Sequence, residues 1–549
     1  MMNDSINMAT PRQHLGPTVR ALVTTVAVVA SMMVHAQSWL DYDQVLSPHS
    51  WLRTSNAAAL TTYHPTDSSQ RLLAEGQVGI TTGQGHLTAP NQSPHSWQAL
   101  AHVRSIYRMS KRVVARGAMV YNNGWGSQAG GSIWVQPDEM PFDITETADS
   151  TRGNIGLERY KLQGEIGVTT WRGLSMGASI GYETATYAKK KDPRHTNQHM
   201  RLDASAGTTW QTGGLTLGAN YLLRRTTEGV QFRNYGRTDQ VYHYLIDQGA
   251  AFGRNEQSGG RGYVGTDYER PYLDMRHGIA LQAGYAHGPW SAVVEWQWLH
   301  RHGHYGLESP ARLDFNRHNG NEWHLCSWWQ HASASSIHRV TASWSHQQVS
   351  DFERTYRIIS EDGITDTEYY DDRLLGEREQ DDLALTYDLQ WGIHRQLATW
   401  QAQATIGHQR RDLTASLYPY YRQQQTHSTH ITLTGERNWL HDNDHTWSVR
   451  LQAGWATGGG TAAKDGTYTA PSDGSTAPAE HLLLLMRQYE WLTATRLHGS
   501  VGLRWSMPLA NHRLRTYVDV QYGYAHAFDT HYLDNAHRHT ATLAIGCHF

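Results

Sequence analysis

The sequence predicts an all-β protein, an antiparallel transmembrane β-barrel of about 18 strands, with 16 also satisfying the parity of the connections. Three observations predict it. Segment after segment alternates apolar and polar residues with a period of two, as strands with two different surroundings do. The aromatic residues are 21 Trp and 29 Tyr against only 7 Phe, and many sit at the ends of those segments. The connections alternate between short and long, the pattern of barrels with short periplasmic turns and long external loops.

The bulk numbers narrow the alternatives. A formal net charge of −3 over 549 residues gives no electrostatic footprint for nucleic acid. Beyond the N-terminus no apolar run is long enough for a transmembrane helix. Cys326 and Cys547 are far apart and make neither a disulfide framework nor a Cys-x-x-Cys metal motif. At the N-terminus Arg12 and Arg20 precede the apolar run from Ala21 to Val34, with Val34 and Ala36 at the −3 and −1 positions. This is the pattern of a cleavable secretory signal over residues 1–36, so the mature chain starts near Gln37. A buried helix is the competing reading.

The strands justify themselves in turn. "LSMGASIGY" sets Leu174, Met176, Ala178, Ile180 and Tyr182 against Ser175, Gly177, Ser179 and Gly181. "WSAVVEWQWLH" puts Trp290, Ala292, Val294, Trp296 and Trp298 on one face, and "TWSVRLQAGWA" does the same with Trp447, Val449, Leu451, Ala453 and Trp455. Trp447 and Trp455 lie about 26 Å apart along a strand, which a tilt of about 40° reduces to about 20 Å of height. Indoles favour the membrane–water interface. A β-sandwich also alternates, but it turns its apolar face to a core and needs more core-filling residues. The opposite parity predicts a lumen face carrying Lys161, Glu165, Asp203, Glu295, Arg450, Arg504, Arg515 and Asp519. Lys161/Glu165 and Arg515/Asp519 are the pairs expected along their strands.

Short turns are expected near "RMSKR", "WRG", "QTGG", "AHGPW", "HASASS", "WGIHRQ", "RNWLHDND" and "SMPLANH", and long loops near residues 123–157, 226–274, 302–320, 350–379 and 457–481. The barrel proper is expected over 70–549. Residues 37–69 hold no clear strand and are expected in the periplasm or the barrel mouth. The C-terminal "HTATLAIGCHF" reads as the closing strand, its apolar face ending on Phe549.

"NAAALTTYHP" at 56–65, "PFDITETADS" followed by "LERYKLQGEIGV", and "DPRHTN" at 192–197 together resemble an uncharacterised outer-membrane β-barrel family of Bacteroidota, a domain-of-unknown-function family. The resemblance spans most of the mature chain and implies a barrel in the cell outer membrane. It implies no activity and supplies no catalytic residues. The terminal Phe549 resembles the signal read by barrel-insertion machinery.

Four features are weighed as sites. In "KKKDPRHTN" Asp192 can accept turn amides, Pro193 restricts the backbone, and Arg194 can pair with a carboxylate or a lipid phosphate. Asp192, Arg194 and Asn197 are therefore candidate binding residues of the loop motif, and Lys189 to Lys191 with Arg194 are expected to grip lipopolysaccharide phosphate; the bland alternative is a turn that only orders its loop, with the lysines solvated. The acidic stretch 350–382 suits hard cations in residue type but lacks EF-hand spacing. His300, His302 and His304 share a strand face and are weak candidates for zinc or copper, yet they continue the parity of Trp296 and Trp298, toward the outer rim. Two Gly-x-Ser-x-Gly matches, at 173–177 and 177–181, fall inside one alternating strand and not at the turn a hydrolase elbow needs. No enzyme and no cofactor is expected.

The functional expectation is a channel or transporter for a small solute. A surface-binding or assembly barrel with another envelope protein as partner is the second reading, with outer-membrane lipid as surroundings in both. A TonB-driven receptor is disfavoured because 37–69 is too short for a globular plug domain.

Overall fold

A computed structural model describes residues 42–65, 71–236, 240–309, 312–361, 364–394, 397–441, 444–509 and 514–548. The expected signal segment 1–36 and Phe549 lie outside the described residues. In chain order the strands are β1 (Leu72–Gln84), β2 (His95–Arg108), β3 (Val113–Ala129), β4 (Gly131–Ser132), β5 (Asp143–Glu146), β6 (Gly153–Trp171) and β7 (Leu174–Lys189). There follow β8 (Arg194–Thr212), β9 (Leu215–Arg233), β10 (His243–Asp247), β11 (Gly253–Gln257), β12 (Arg270–His287), β13 (Trp290–Ser309), β14 (Arg312–Ala332) and β15 (Ser336–Glu361). The last seven are β16 (Ile364–His394), β17 (Leu397–Leu417), β18 (Tyr420–Leu440), β19 (Thr446–Thr467), β20 (Arg496–Leu509), β21 (Leu514–Ala527) and β22 (His537–His548).

Eighteen of these strands form one antiparallel sheet that closes on itself, because β1 pairs with both β2 and β22. Closure leaves no sheet edge for lipid to meet. The register separates two faces all the way round. Outside lie Val78, Ile80, Leu162, Ile180, Leu281, Leu385, Leu433, Leu451, Leu503, Val520 and Ile545, all exposed. Two aromatic girdles bound this belt. Trp329, Trp391, Trp400, Trp439, Trp447 and Trp505 ring the short-turn end; Trp97, Trp125, Trp298, Trp323, Trp344 and Trp455 ring the other. Trp391 stacks on Trp400 and Trp447 on Trp505, with centroids 5.6 and 5.8 Å apart. An apolar belt between indole girdles on a closed barrel is the architecture of the outer membrane, where this protein resides.

The short turns near "WGIHRQ", "RNWLHDND" and "SMPLANH" lie partly outside the described residues; the other five fall where the sequence places them. Several long loops do not. Residues 350–361 and 364–379 belong to β15 and β16, which stay paired out to Glu361 and Ile364. Residues 302–309 and 312–320 likewise continue β13 and β14, and β19 runs on to Thr467. These extensions rise beyond the lipid, where neither face needs to be apolar, so alternation vanishes while pairing persists. "LLLLMRQYEWLT" is a helix, Leu482–Thr493, outside the barrel wall sheet.

The N-terminal segment is folded inside the barrel. It consists of helix α1 (Tyr42–Leu46) and two 3₁₀ turns, Ser50–Arg53 and Ala57–Thr62. The helix at Leu482–Thr493 is accordingly α2. Ala57, Ala58, Ala59 and Leu60 are at most 3% exposed, against the inward faces of β3, β6, β7 and β8. Glycines make the room: a Cβ at Gly177 would overlap the backbone of Ala57 and Ala58, and one at Gly207 would meet Asn56.

The segment also joins the barrel seam. Buried Glu75 on β1 accepts a 2.6 Å bond from Arg104 Nε on β2 and a 2.8 Å bond from Tyr517 Oη on β21. The same Arg104 donates to both carboxylate oxygens of Asp43 in α1, at 2.8 and 2.7 Å.

Candidate functional site

The candidate site is the lumen, enclosed by two parts of the chain itself. At the short-turn end the N-terminal segment is pinned by side chains on the inward parity of the wall. Asn56 caps the second 3₁₀ turn by accepting from the Ala58 amide at 3.1 Å, while its Nδ2 donates to Thr208 O at 2.9 Å and Gln282 Oε1 at 3.1 Å. Glu295 accepts from the amide and hydroxyl of Ser55, and Arg116 ties Glu165, at 2.6 Å, to Leu52 O, at 2.9 Å. Gln330 donates to Pro48 O at 3.0 Å, and Thr61 donates to Ser175 at 3.0 Å. With Arg108 of β2 donating to Thr61 O and Arg339 of β15 to Ser47 O, these bonds span the wall from β2 to β15. On the opposite wall Gln403 stays exposed and Arg450 keeps 38% of its side chain accessible.

At the other end β4, β5, β10 and β11 form a separate four-stranded sheet in the order β11-β10-β5-β4, a lid folded into the mouth. Its core is aromatic: Trp134, Phe142, Tyr244, Tyr263 and Ile144 pack on Phe232, Tyr272, Tyr305 and Phe315 of the wall. Leu245, Ala250 and Ala251 reach across to Leu413 on β17 and Leu485 on α2. Glu490 of α2 then accepts the amides of His531, Tyr532 and Leu533 at 2.8 to 3.0 Å. In the lid Asp143 and Asp247 are paired directly across β5 and β10. Burial, with the Asp247 charge beside it, pushes the Asp143 carboxyl up to about 7.

Between the closures runs a girdle of charge. Asp274 accepts from Arg301 Nε at 2.6 Å, His318 Nε2 at 2.9 Å and Arg276 Nε at 2.8 Å. Arg276 also meets Glu322 at 2.9 Å and Glu139, from the lid connection, at 2.6 Å. Asp203 takes both Arg201 and Arg224, at 2.9 and 2.7 Å. Buried charges need such saturation, since an unpaired one costs several kcal/mol.

All eight residues of the expected lumen face lie on the inward parity, but their partners differ from those expected along each strand. Glu165 pairs with Arg116 across β3 and β6, not with Lys161. Asp519 pairs with Arg504 across β20 and β21 at 2.8 Å. Arg450 meets Glu436 at 2.7 Å, and Arg515 donates to Thr446. Cross-strand neighbours are closer than residues four apart on one strand.

The 189–197 turn divides. Asp192 accepts from Arg194 Nε at 2.7 Å and from the Tyr235 amide at 3.2 Å, and Arg194 lies over the Tyr235 ring. Asn197 is fully buried, donating to Ile133 O at 3.0 Å and to Glu228, so it is not on one surface with Arg194. Lys189 points inward to Glu146 at 2.6 Å. His300 and His302 face outward, grouped with His277 at ring separations of 5.8 to 6.0 Å; His304 shares their parity. Among the described residues no set of three or more His, Cys, Asp or Glu side chains is arranged to hold a metal. Sequence reasoning missed the lid and the girdle residues Asp274, Arg276, Arg301 and His318. The signal was available in part, because "LDMRHG" and "HRHGHYG" carry charge inside otherwise alternating strands.

Residues 58–549 match the model of a family described as a family of unknown function (DUF6850). The chain belongs to this family. The match takes in every barrel strand, the lid and part of the N-terminal segment. No curated protein matches. Among solved structures, the chain is similar to the ferric preacinetobactin receptor BauA from Acinetobacter baumannii, at 8% identity and a TM-score of 0.41 over 87% of this chain and 80% of that one. It is similar also to the outer membrane transporter YddB from Escherichia coli, at 9% identity and 0.37 over 86% and 81%. A third is the RagAB peptide importer, at 7% and 0.38 over 87% and 87%.

Proposed function

We propose that this member of the family is an outer-membrane channel or transporter for a small solute, closed by its own lid and N-terminal segment. The observation that carries this reading is the inward face: charged and amide side chains line the wall from Glu295 and Gln282 near one closure to Arg276 and Asp274 near the other. A barrel whose only task was to anchor a surface structure has no need of a polar path between two self-made closures. Residues 1–36 act in this reading as a secretory signal, and Phe549 as the mark for barrel insertion. We assign no enzymatic step.

Planar-bilayer conductance tests it. The full chain is expected to conduct rarely, deletion of 42–62 to raise open probability, and additional removal of the lid residues 131–146 to give a stable open pore. A doubly deleted barrel that folds and still does not conduct would overturn the reading.

A second reading is favoured by one feature. The β15–β16 hairpin stands above the belt and exposes Ile358 and Tyr370 at 55% and 67%, which suits an envelope protein that docks on the rim. Its test is co-purification that is lost when 353–372 is shortened.

A further inference from the structure

Arg378 and Arg411 differ from the other lumen arginines. Register puts them on one face of adjacent strands: Arg378 is opposite Leu413, and Arg411 opposite Gln380, so the two are diagonal neighbours at a backbone separation of about 7–8 Å. That face points inward, because Leu413 is buried under the lid and Gly376, of the same parity as Arg378, meets Gln248 of the lid turn. Neither guanidinium has an ion pair or hydrogen bond among the described residues, and Arg411 Nε is buried without a partner.

The charges around them do not supply one. Arg301 and Arg276 act on Arg378, but both are already matched by Asp274, Glu322 and Glu139. Asp247 acts on Arg411, but its Oδ1 is taken by the amides of Gly249 and Phe252, at 2.8 and 3.1 Å. Asp138, just above on the lid connection, acts on both without touching either. Two forked donors, half-buried on one inward face, are left open while Arg276 and Arg301 are satisfied.

We propose that Arg378 and Arg411 form a lumen site for a small dianion, a dicarboxylate or a phosphate, directly beneath the lid. The guanidinium fork matches the two oxygens of either group. The site rests on the reading of the lumen as a solute path and names the class of solute. Asp138 opposes the ligand and keeps affinity modest.

The test is titration calorimetry on the folded full chain in detergent, with inorganic phosphate in one arm and succinate in the other. Saturable binding of one of them is expected, with Kd below about 1 mM. R378Q and R411Q are each expected to weaken it about tenfold or more, and K111Q, exposed on the short turn after β2, to leave it unchanged. D138N, which removes no donor, is expected to tighten binding, and so keeps the proposal testable if an arginine variant fails to fold. Absence of binding for both anions, or equal binding by the R378Q/R411Q double variant, would overturn the site. Conductance is a separate readout: binding without conduction in the deleted barrel defeats the channel and spares the site, and conduction without binding does the reverse.

Discussion

Glu295 Oε2 accepts two hydrogen bonds of 2.9 Å from one residue 240 positions earlier, the amide and the hydroxyl of Ser55. The same oxygen takes Gln282 Nε2 at 2.8 Å. A single carboxylate on the barrel wall therefore holds the N-terminal segment against β13.

Replacing Glu295 by Ala removes a charged acceptor and strands the Ser55 amide, at a cost of about 1–3 kcal/mol. The wall itself loses little. E295A is expected to raise channel open probability while leaving the heat-modifiable gel shift of the folded barrel unchanged. A loss of the gel shift would instead place Glu295 in barrel stability.

The lid is expected to loosen as pH rises. Asp143 has a folded value of about 7 against 3.8 for the free side chain. The folded lid thus holds the proton more tightly than the unfolded one. Its stability is complete below about pH 4 and is lost progressively as pH rises through about 7. Hydrogen exchange at Ile144 and Ile246, corrected for intrinsic rates, is expected to be faster at pH 8 than at pH 5.5. D143N is expected to flatten that dependence.

Asp274 is the hub of the girdle. D274A leaves Arg301 and Arg276, 1% and 3% exposed, short of their shared partner, a loss on the order of 3–5 kcal/mol. A lower urea midpoint for unfolding from detergent is expected. An unchanged midpoint would mean that Glu322 and Glu139 suffice.

Deletion of Phe549, or F549D, is expected to lower the amount of protein assembled in the outer membrane, measured by membrane fractionation against total expression. Normal levels in both variants would show that the barrel is inserted without reference to its last residue.

What the sequence reveals follows the solvent. Wherever a strand crosses lipid, its two faces meet different media, and alternation from Leu174 to Tyr182 or from Trp447 to Trp455 records it. Above the lipid both faces of β15 and β16 meet water, so Glu353 to Asp372 resembles an acidic loop even though the two strands stay paired from Glu353/Arg373 to Glu361/Ile364, with one register shift. The lid was illegible for another reason. Its strands come from two connections, and β5 pairs with β10, Thr145 facing Leu245 and Asp143 facing Asp247, a pairing no local pattern encodes. The lumen face was legible as a parity and not as partners, because Glu165 chooses Arg116 across strands. The N-terminal segment gave one unread sign: the inward residue of "SMGAS" is glycine, and Gly177 is where Ala58 sits.

Glu75 bears on how the protein is made. One of its oxygens takes the hydroxyl of Tyr517, on the second-to-last strand, and the other takes Arg104, which in turn clamps Asp43. The final zippering of β22 onto β1 and the seating of the interior segment thus share one carboxylate. A barrel that shut around an empty interior would leave Arg104 without Asp43, so completing the ring and loading its contents are expected to be coupled in biogenesis.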